Sequence, residues 1–129
     1  QWRTPGASTP KWTLLATSGY MGANVTTPTS QIHTTSFATG YTGTATGITL
    51  NDSHNVVEVT ATGQTITLPT AVGITGRIYT IKLTASGTGT VGTTSSQTID
   101  GSTTYSLSAQ YKYVTVQSNG SNWNIIGNN

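Results

Sequence analysis

The clearest alternation of apolar and polar positions lies between residues 56 and 126. Two runs in this stretch, residues 65–68 and 79–83, carry an apolar side chain at every second position. Successive side chains of a strand point to opposite faces, so this period of two predicts half-buried β-strands. Pro69 has no N–H to donate to a neighbouring strand and should end the first run. A turn-rich connector joins the runs, and we predict that they pair antiparallel.

Further short runs of β-favouring residues follow the same pattern at residues 56–61, 104–107, 112–117 and 123–126. The dipeptides Asp100-Gly101 and Asn119-Gly120 are typical of tight turns, and the second predicts a hairpin. Residues 84–96 are mostly Gly, Thr and Ser, which indicates a loop with one weak strand around Val91. Short strands every 8–12 residues are typical of an all-β sandwich, barrel or prism. We therefore expect an all-β fold of short antiparallel strands in a compact, sandwich-like or barrel-like C-terminal unit.

The chain divides into two parts by its pattern. Residues 1–50 carry isolated apolar positions among Thr, Gly and Ser, which predicts an extended, linker-like or stalk-like segment. Residues 51–129 form the predicted β-structured C-terminal domain. Ordering a residue costs roughly 1–2 kcal/mol, so we expect residues 21–50 of this segment to pack on the C-terminal sheet or on a neighbouring subunit. Trp2 and Trp12 in it suit packing, and stacking on a sugar is the alternative.

Composition narrows the classes of partner. Thr and Ser account for 43 of the 129 residues, whereas five residues are basic and three are acidic. The five Lys and Arg residues are scattered and form no cluster that could neutralise a row of phosphates, which argues against nucleic-acid binding. No apolar run approaches the roughly 20 residues of a membrane-spanning helix, so we expect no membrane insertion. A charge-poor, hydroxyl-rich chain without cysteine is compatible with an extracellular or virion location.

The carboxylates do not form a pattern that predicts catalysis. Glycoside hydrolysis requires two carboxylates at a suitable separation, and the sequence has Asp52, Glu58 and Asp100 alone. The two aspartates stand in turn sequences, and the glutamate alternates with valines on a predicted solvated face. No Gly-x-Ser-x-Gly motif accompanies the isolated residues His33 and His54. We therefore predict no catalytic residue and no enzymatic activity.

The sequence also predicts no cofactor and no metal site within one chain. One alternative stays open, because a single His on a threefold axis could present three imidazoles to one ion. Ice binding through Thr-x-Thr pairs would require a regular repeat at solenoid spacing, and the sequence shows none. Receptor or glycan contacts through stacking and hydrogen bonding remain open. The candidate contacts are Tyr105, Tyr111, Asn122 and Trp123; for Trp123, which alternates with Ile125, packing is the favoured role.

Four segments in fixed order carry a resemblance to a known family: Thr67-Leu-Pro69, residues 76–82, residues 96–102 and residues 111–126. Together they resemble the C-terminal β domain of bacteriophage tail-fibre and head-fibre proteins, over residues 56–127. Residues 85–94 depart from that pattern, since such domains often have a clearly alternating strand there. The resemblance implies a non-enzymatic, homotrimeric distal module of a virion fibre. It also implies upstream virion proteins as neighbours and a host-surface glycan or protein as receptor.

Trimer formation has a physical reason independent of the resemblance. Hydrophobic residues make up 33% of the chain and fall in short strands broken by Gly, so one copy has a thin core. Identical copies could bury edge strands and spare apolar faces against one another. A second interpretation, a secreted carbohydrate-binding module of a bacterial surface protein, remains open. Such modules are commonly monomeric, and the oligomeric state would separate the two.

Overall fold

A computed structural model of the chain describes residues 39–129, which belong to the compact unit Ser36–Asn129. The described residues contain strands and turns without a helix, which confirms the all-β prediction. They accordingly include no helix long and apolar enough to cross a membrane. The strands are β1 (Tyr41–Thr44), β2 (Ile48–Thr49), β3 (Val56–Val59), β4 (Thr65–Thr67), β5 (Ile78–Leu83), β6 (Gly89–Gly92), β7 (Thr104–Leu107), β8 (Tyr113–Ser118) and β9 (Trp123–Asn128).

The strands form two sheets that share one hydrophobic core. The five-stranded sheet has the order β1-β3-β5-β8-β9, and the four-stranded sheet has the order β2-β4-β6-β7. From β1 to β6 the chain alternates between the sheets, and each strand lies parallel to its predecessor in the same sheet. This path is that of a short β-solenoid with three coils: β1 with β2, β3 with β4, and β5 with β6.

The coils differ in length. In the five-stranded sheet, Tyr41 lies opposite Val56, and Val56 in turn lies opposite Thr80, so the second step along the chain is clearly longer than the first. The four-stranded sheet shows the same inequality, because the step from Ile48 to Ile66 is shorter than the step from Thr65 to Thr90. The coils therefore stack in space without producing a fixed period in the sequence.

The prediction of an antiparallel pair between residues 65–68 and 79–83 is wrong. The first run contains β4, which pairs in parallel with β6, and the second contains β5, which lies in the other sheet between β3 and β8. Residues 69–77 carry the chain from one sheet to the other. The amide oxygen of Gln97 accepts a hydrogen bond from the Ala71 N–H at 2.8 Å, and Ser118 Oγ donates to the Ala71 carbonyl at 2.7 Å. These buried bonds fix the connector as a crossover between sheets.

Antiparallel strands close the downstream end of the solenoid. Strand β7 pairs with β6, and the β8–β9 hairpin adds to β5, as the Asn119-Gly120 turn predicts. The predicted turn at Asp100-Gly101 is also present, with φ angles of +45° and +89° and a bridge from Ile99 to Ser102. Ile99 forms a second, parallel bridge to Trp123, so residues 98–102 cover part of the β9 edge.

Inward side chains from both sheets make the core, as the alternation predicts. The fully buried members include Val57, Val59, Ile66, Leu68, Tyr79, Ile81, Leu83, Val91, Leu107, Val114, Val116 and Trp123. Burying side chains of this size is the main stabilising contribution in a domain. Strand β1 of the first coil contributes less apolar surface to the core, because Thr42 and Thr44 occupy the positions opposite Val57 and Val59. Both strands of that coil lie within residues 1–50, the segment predicted to be extended.

Candidate recognition surface

The outer face of the five-stranded sheet carries a group of polar and aromatic side chains. The parallel register places Gly43, Glu58 and Lys82 in one row, and the antiparallel pairing of β5 with β8 adds Tyr113 to it. Thr84 follows two positions after Lys82, on the same side of the chain. We use the term tyrosine face for the residues Tyr41, Glu58, Lys82, Thr84 and Tyr113.

The side chain of Tyr41 lies along this face. Tyr41 is opposite Val56, so Glu58 is its diagonal neighbour, and the Tyr41 hydroxyl donates a hydrogen bond to Glu58 Oε2. Gly43 lies beneath the ring's path, because a Cβ at that position would stand 3.6 Å from the Tyr41 hydroxyl. The tyrosine is 62% exposed even though its hydroxyl is bound. The arrangement therefore presents an aromatic ring to solvent with its orientation fixed at the far end.

Glu58 is held by a second hydroxyl group. Thr84 Oγ1 donates to Glu58 Oε1 at 2.8 Å, so each carboxylate oxygen accepts one hydrogen bond from the protein. The bonds from Tyr41 and Thr84, with a smaller contribution from the charge of Lys82, lower the pKa of Glu58 from its ordinary value. The same bond to Glu58 raises the pKa of the Tyr41 hydroxyl. At neutral pH the pair is an ionised carboxylate and a neutral phenol.

The four residues predicted as receptor contacts do not form one open surface. Trp123 is fully buried, and Asn122 Oδ1 accepts hydrogen bonds from the N–H and the hydroxyl of Thr98, at 2.9 and 3.2 Å. Tyr105 packs against the core, and its hydroxyl accepts a hydrogen bond from Asn128 at 3.0 Å. These three side chains therefore have structural partners. The structure agrees with the packing role favoured for Trp123.

Tyr111 is the exposed member of that group, at 58%. It stands in the turn before β8 with a φ of +68°, and its N–H donates to the Leu83 carbonyl at 2.7 Å. A positive φ is unusual for a bulky residue and is held here by the turn. Tyr41 is not among the contacts predicted from the sequence. The available signal in the sequence is Gly43, two positions after Tyr41, which leaves room for the tyrosine side chain. Glu58 becomes a neighbour of Tyr41 only through the parallel register.

Two adjoining shallow depressions, of about 230 and 220 Å³, lie beside the turn at residues 51–54. Arg77 lines both, and its Nη2 donates to the carbonyl of Asp52 at 2.9 Å and to that of His54. Its guanidinium carbon lies 5.0 Å from the centre of the Tyr79 ring, and the Tyr79 hydroxyl donates to the Asn51 carbonyl at 2.9 Å. Arg77 and Tyr79 thus attach the turn to the sheet, and the buried Nε of Arg77 has no hydrogen-bond partner among residues 39–129.

The remaining titratable residues are spread over the described part of the chain. Asp100 Oδ1 accepts a hydrogen bond from the Ile125 N–H at 3.1 Å, and His54 Nδ1 accepts one from the Asn51 N–H, also at 3.1 Å. Within residues 39–129, no three His, Cys, Asp or Glu side chains come together in a way that could hold a metal ion. Trp2, Trp12 and His33 lie outside the described residues.

Comparisons with known proteins give no further assignment: no family model, no curated protein and no solved structure matches the chain.

Proposed function

We propose that the chain is a non-enzymatic distal module of a bacteriophage fibre, which gives the fibre a stable trimeric end and contacts the host. The observation that carries the proposal is the polarity of the coil stack. Antiparallel strands close the downstream end, whereas β1 and β2 at the other end each have one edge without a strand partner among the described residues. Solenoids need a terminal cap at an exposed end. A cap on the downstream side suits the last module of an elongated assembly.

Assembly as a homotrimer is supported by the surface that one copy leaves open. An unpaired strand edge is a template for pairing with another chain, and the edges at the capped end are β7 and the part of β9 that residues 98–102 leave uncovered. Val72 and Ile126 are large hydrophobic side chains with 61% and 52% of their surface exposed. Identical copies around a threefold axis could cover such edges and side chains.

A non-enzymatic role is supported by the positions of the three carboxylates. Asp52 lies in the turn attached by Arg77, and Asp100 accepts the Ile125 N–H within a tight turn. Glu58 stands on the tyrosine face between two hydroxyl groups. Glycoside hydrolysis needs two carboxylates on either side of one bond, and these three have separate structural surroundings.

The proposal places the protein in the virion, outside the cell, with other copies of itself and upstream virion proteins as neighbours. A host-surface glycan or protein is the further partner. The second candidate function is a carbohydrate-binding module of a secreted bacterial surface protein. The exposed Tyr41 on a sheet face favours it, because such a ring can stack on a sugar without any assembly.

Light scattering of the purified chain separates the two candidates. The fibre proposal predicts a mass near three times the 13.4 kDa of one chain, unchanged when the sample is diluted a hundredfold. A mass near that of one chain at every concentration would contradict the trimer and favour the carbohydrate-binding module.

A further inference from the structure

We propose that the tyrosine face binds an uncharged oligosaccharide, with Tyr41 as the stacking platform and Glu58 as an acceptor for sugar hydroxyl groups. The proposal rests on the attachment role proposed above and names the ligand class for it. It replaces the contacts predicted from sequence at Trp123, Asn122 and Tyr105, whose side chains are occupied within the fold. It also leaves out Tyr111, which stands in the turn before β8 and is not part of the tyrosine face.

Tyr41 is pre-organised for stacking on a ligand. Its backbone is fixed in β1 and its hydroxyl is fixed on Glu58, while 62% of the residue remains exposed. A side chain already held in one orientation loses less freedom when a ligand covers it. An exposed aromatic ring beside polar groups suits a ligand with an apolar face and polar edges. A pyranose ring has that character, since its C–H bonds form one face and its hydroxyl groups lie around the rim.

Glu58 can accept further hydrogen bonds beyond the two it receives from the protein. An ionised carboxylate has about four acceptor positions. Tyr41 and Thr84 use one on each oxygen, so acceptor positions on both oxygens are left for hydroxyl donors of a ligand. Bonds to an ionised acceptor are roughly twice as strong as neutral ones. Lys82, next to Glu58 in the register, offers donors to ring or hydroxyl oxygens.

The charges on the face favour an uncharged ligand. Glu58 and Lys82 are adjacent and of opposite sign, so the face has little net charge. The described residues as a whole contain three basic and three acidic side chains. A sialylated or sulfated sugar would need a surplus of positive charge at the site, and here its negative group would approach the Glu58 carboxylate. An uncharged oligosaccharide meets no such repulsion from Glu58.

The length of the face indicates more than one sugar ring. Tyr113 lies two strands from Glu58 in the same row, which is about 10 Å at the usual strand spacing. In the adjacent row, Val56 lies next to Tyr41 and is followed by Thr80 and Thr115, whose hydroxyl groups are 3.0 Å apart. Since one ring cannot reach from Tyr41 to Tyr113, the surface fits an oligosaccharide better than a monosaccharide.

An array of neutral oligosaccharides, printed together with sialylated and sulfated counterparts, tests the proposal with the full chain as the probe. We expect binding to at least one neutral member, followed by calorimetric titration with that sugar. Tyr41→Ala should weaken this binding by at least roughly tenfold, because it removes the central aromatic contact. Glu58→Gln should also weaken it, and Tyr41→Phe should fall between the wild type and Tyr41→Ala. Tyr111→Ala, at an exposed tyrosine in the turn before β8, is the matched control and should bind as the wild type does.

Circular dichroism should be unchanged in Tyr41→Ala, and the melting temperature should fall only slightly, since the residue is largely exposed and loses one surface hydrogen bond to Glu58. Binding to charged members alone, or to none, would overturn the proposal. It would also be overturned if Tyr41→Ala bound normally, or if Tyr111→Ala lost binding while Tyr41→Ala kept it. The mass measurement is independent of these results. A trimer that binds no neutral sugar refutes the proposed ligand and leaves the fibre proposal standing. A monomer that binds a neutral sugar refutes the fibre proposal and leaves the proposed ligand standing.

Discussion

The rings of Trp123 and Tyr79 meet in the core with their centroids 5.6 Å apart and their planes tilted by 48°. Tyr79 belongs to β5 in the third coil, and Trp123 begins β9 in the antiparallel cap. Both side chains have at most 1% of their surface exposed. A tilted aromatic pair adds about 0.5–1.5 kcal/mol to the gain from burial alone. This contact therefore joins the cap to the solenoid.

Replacing Trp123 should weaken the whole unit. We expect Trp123→Ala to reduce the free energy of unfolding by about 3–5 kcal/mol, the usual cost of deleting a buried aromatic side chain. Trp123→Phe should cost less, because it keeps a ring and removes an indole N–H that is buried without a hydrogen-bond partner. Urea unfolding monitored by circular dichroism measures both. Tyr111→Ala, at an exposed position, should change stability little. An unchanged free energy of unfolding for Trp123→Ala would contradict the packing role.

The Asn119-Gly120 turn in the sequence predicts that Trp123 lies across from residues 114–116 on the neighbouring strand, and the register of the β8–β9 hairpin corrects this prediction. Trp123 lies opposite Ser118, and Ile125 lies opposite Val116, because the Asn119-Gly120 turn is short. An irregularity between Thr115 and Val116 then shifts the pairing and leaves Ile126 outward, 52% exposed. The alternation correctly indicates that Trp123 faces inward. Its partner across the hairpin depends on the turn and on the irregularity.

Asp100 should stabilise the cap through its side chain and its backbone conformation. Its carboxylate accepts the Ile125 N–H, and its φ of +45° is one that Asn and Asp tolerate better than most residues. We expect Asp100→Ala to cost about 1–3 kcal/mol, as for loss of a hydrogen bond to a charged group. Asp100→Asn, which keeps both an acceptor oxygen and the backbone preference, should cost clearly less. Equal losses in the two variants, measured by thermal unfolding, would show that the Ile125 bond contributes nothing.

Gly40 should be required where the first coil begins. A Cβ there would overlap the Ser53 carbonyl oxygen, and the Gly40 carbonyl accepts the N–H groups of Asn55 and Val56. We expect Gly40→Ala to destabilise the unit by about 1–3 kcal/mol through this overlap with backbone. Gly43→Ala is the matched control, since its Cβ would make only an ordinary contact, 3.6 Å from the Tyr41 hydroxyl. If both variants had the melting temperature of the wild type, the close approach of Gly40 to the Ser53 carbonyl would be refuted.

Glu58 should titrate below the ordinary range for a glutamate. Hydrogen bonds from Tyr41 and Thr84 lower its pKa, with help from the charge of Lys82. Because the folded pKa is the lower one, the stability from this carboxylate is present above the unfolded pKa, about 4.3. It is lost as the pH falls through the folded pKa. A carbon-detected NMR titration should show this, and Tyr41→Phe should move the pKa of Glu58 back upward. An unchanged titration in that variant would rule out the hydrogen bond.

Side-chain alternation was enough to predict which residues face the core. Residues such as Ile66, Ile81 and Val114 alternate with polar neighbours, and each is fully buried. Alternation does not identify the partner strand, because a parallel pair and an antiparallel pair require the same pattern. The pairing of β4 with β6 depends on a long step along the chain whose crossover is fixed by Gln97, and no local signal encodes that step.

The candidate surface was harder to predict than the core. Aromatic residues are numerous near the C-terminus, and Trp123 and Tyr105 are among the predicted receptor contacts. In the fold, both side chains pack in or against the core. Tyr41 lies in a stretch where most residues are Thr, Gly and Ser. Its significance depends on a register that places it diagonally across from Glu58, which is distant in the sequence. A contact of that kind follows from coil stacking and has no counterpart in a sequence motif.

Immunogold electron microscopy tests the central claim, that this chain ends a phage fibre, most directly. Antibodies raised against the folded chain would be applied to virus particles purified from lysates of the bacterium whose genome, or whose phage, encodes it. We predict gold at the free ends of fibres, with the label removed when the antibody is first incubated with the purified chain. Particles that carry no gold, while the surface of uninfected bacteria is labelled, would contradict the fibre assignment.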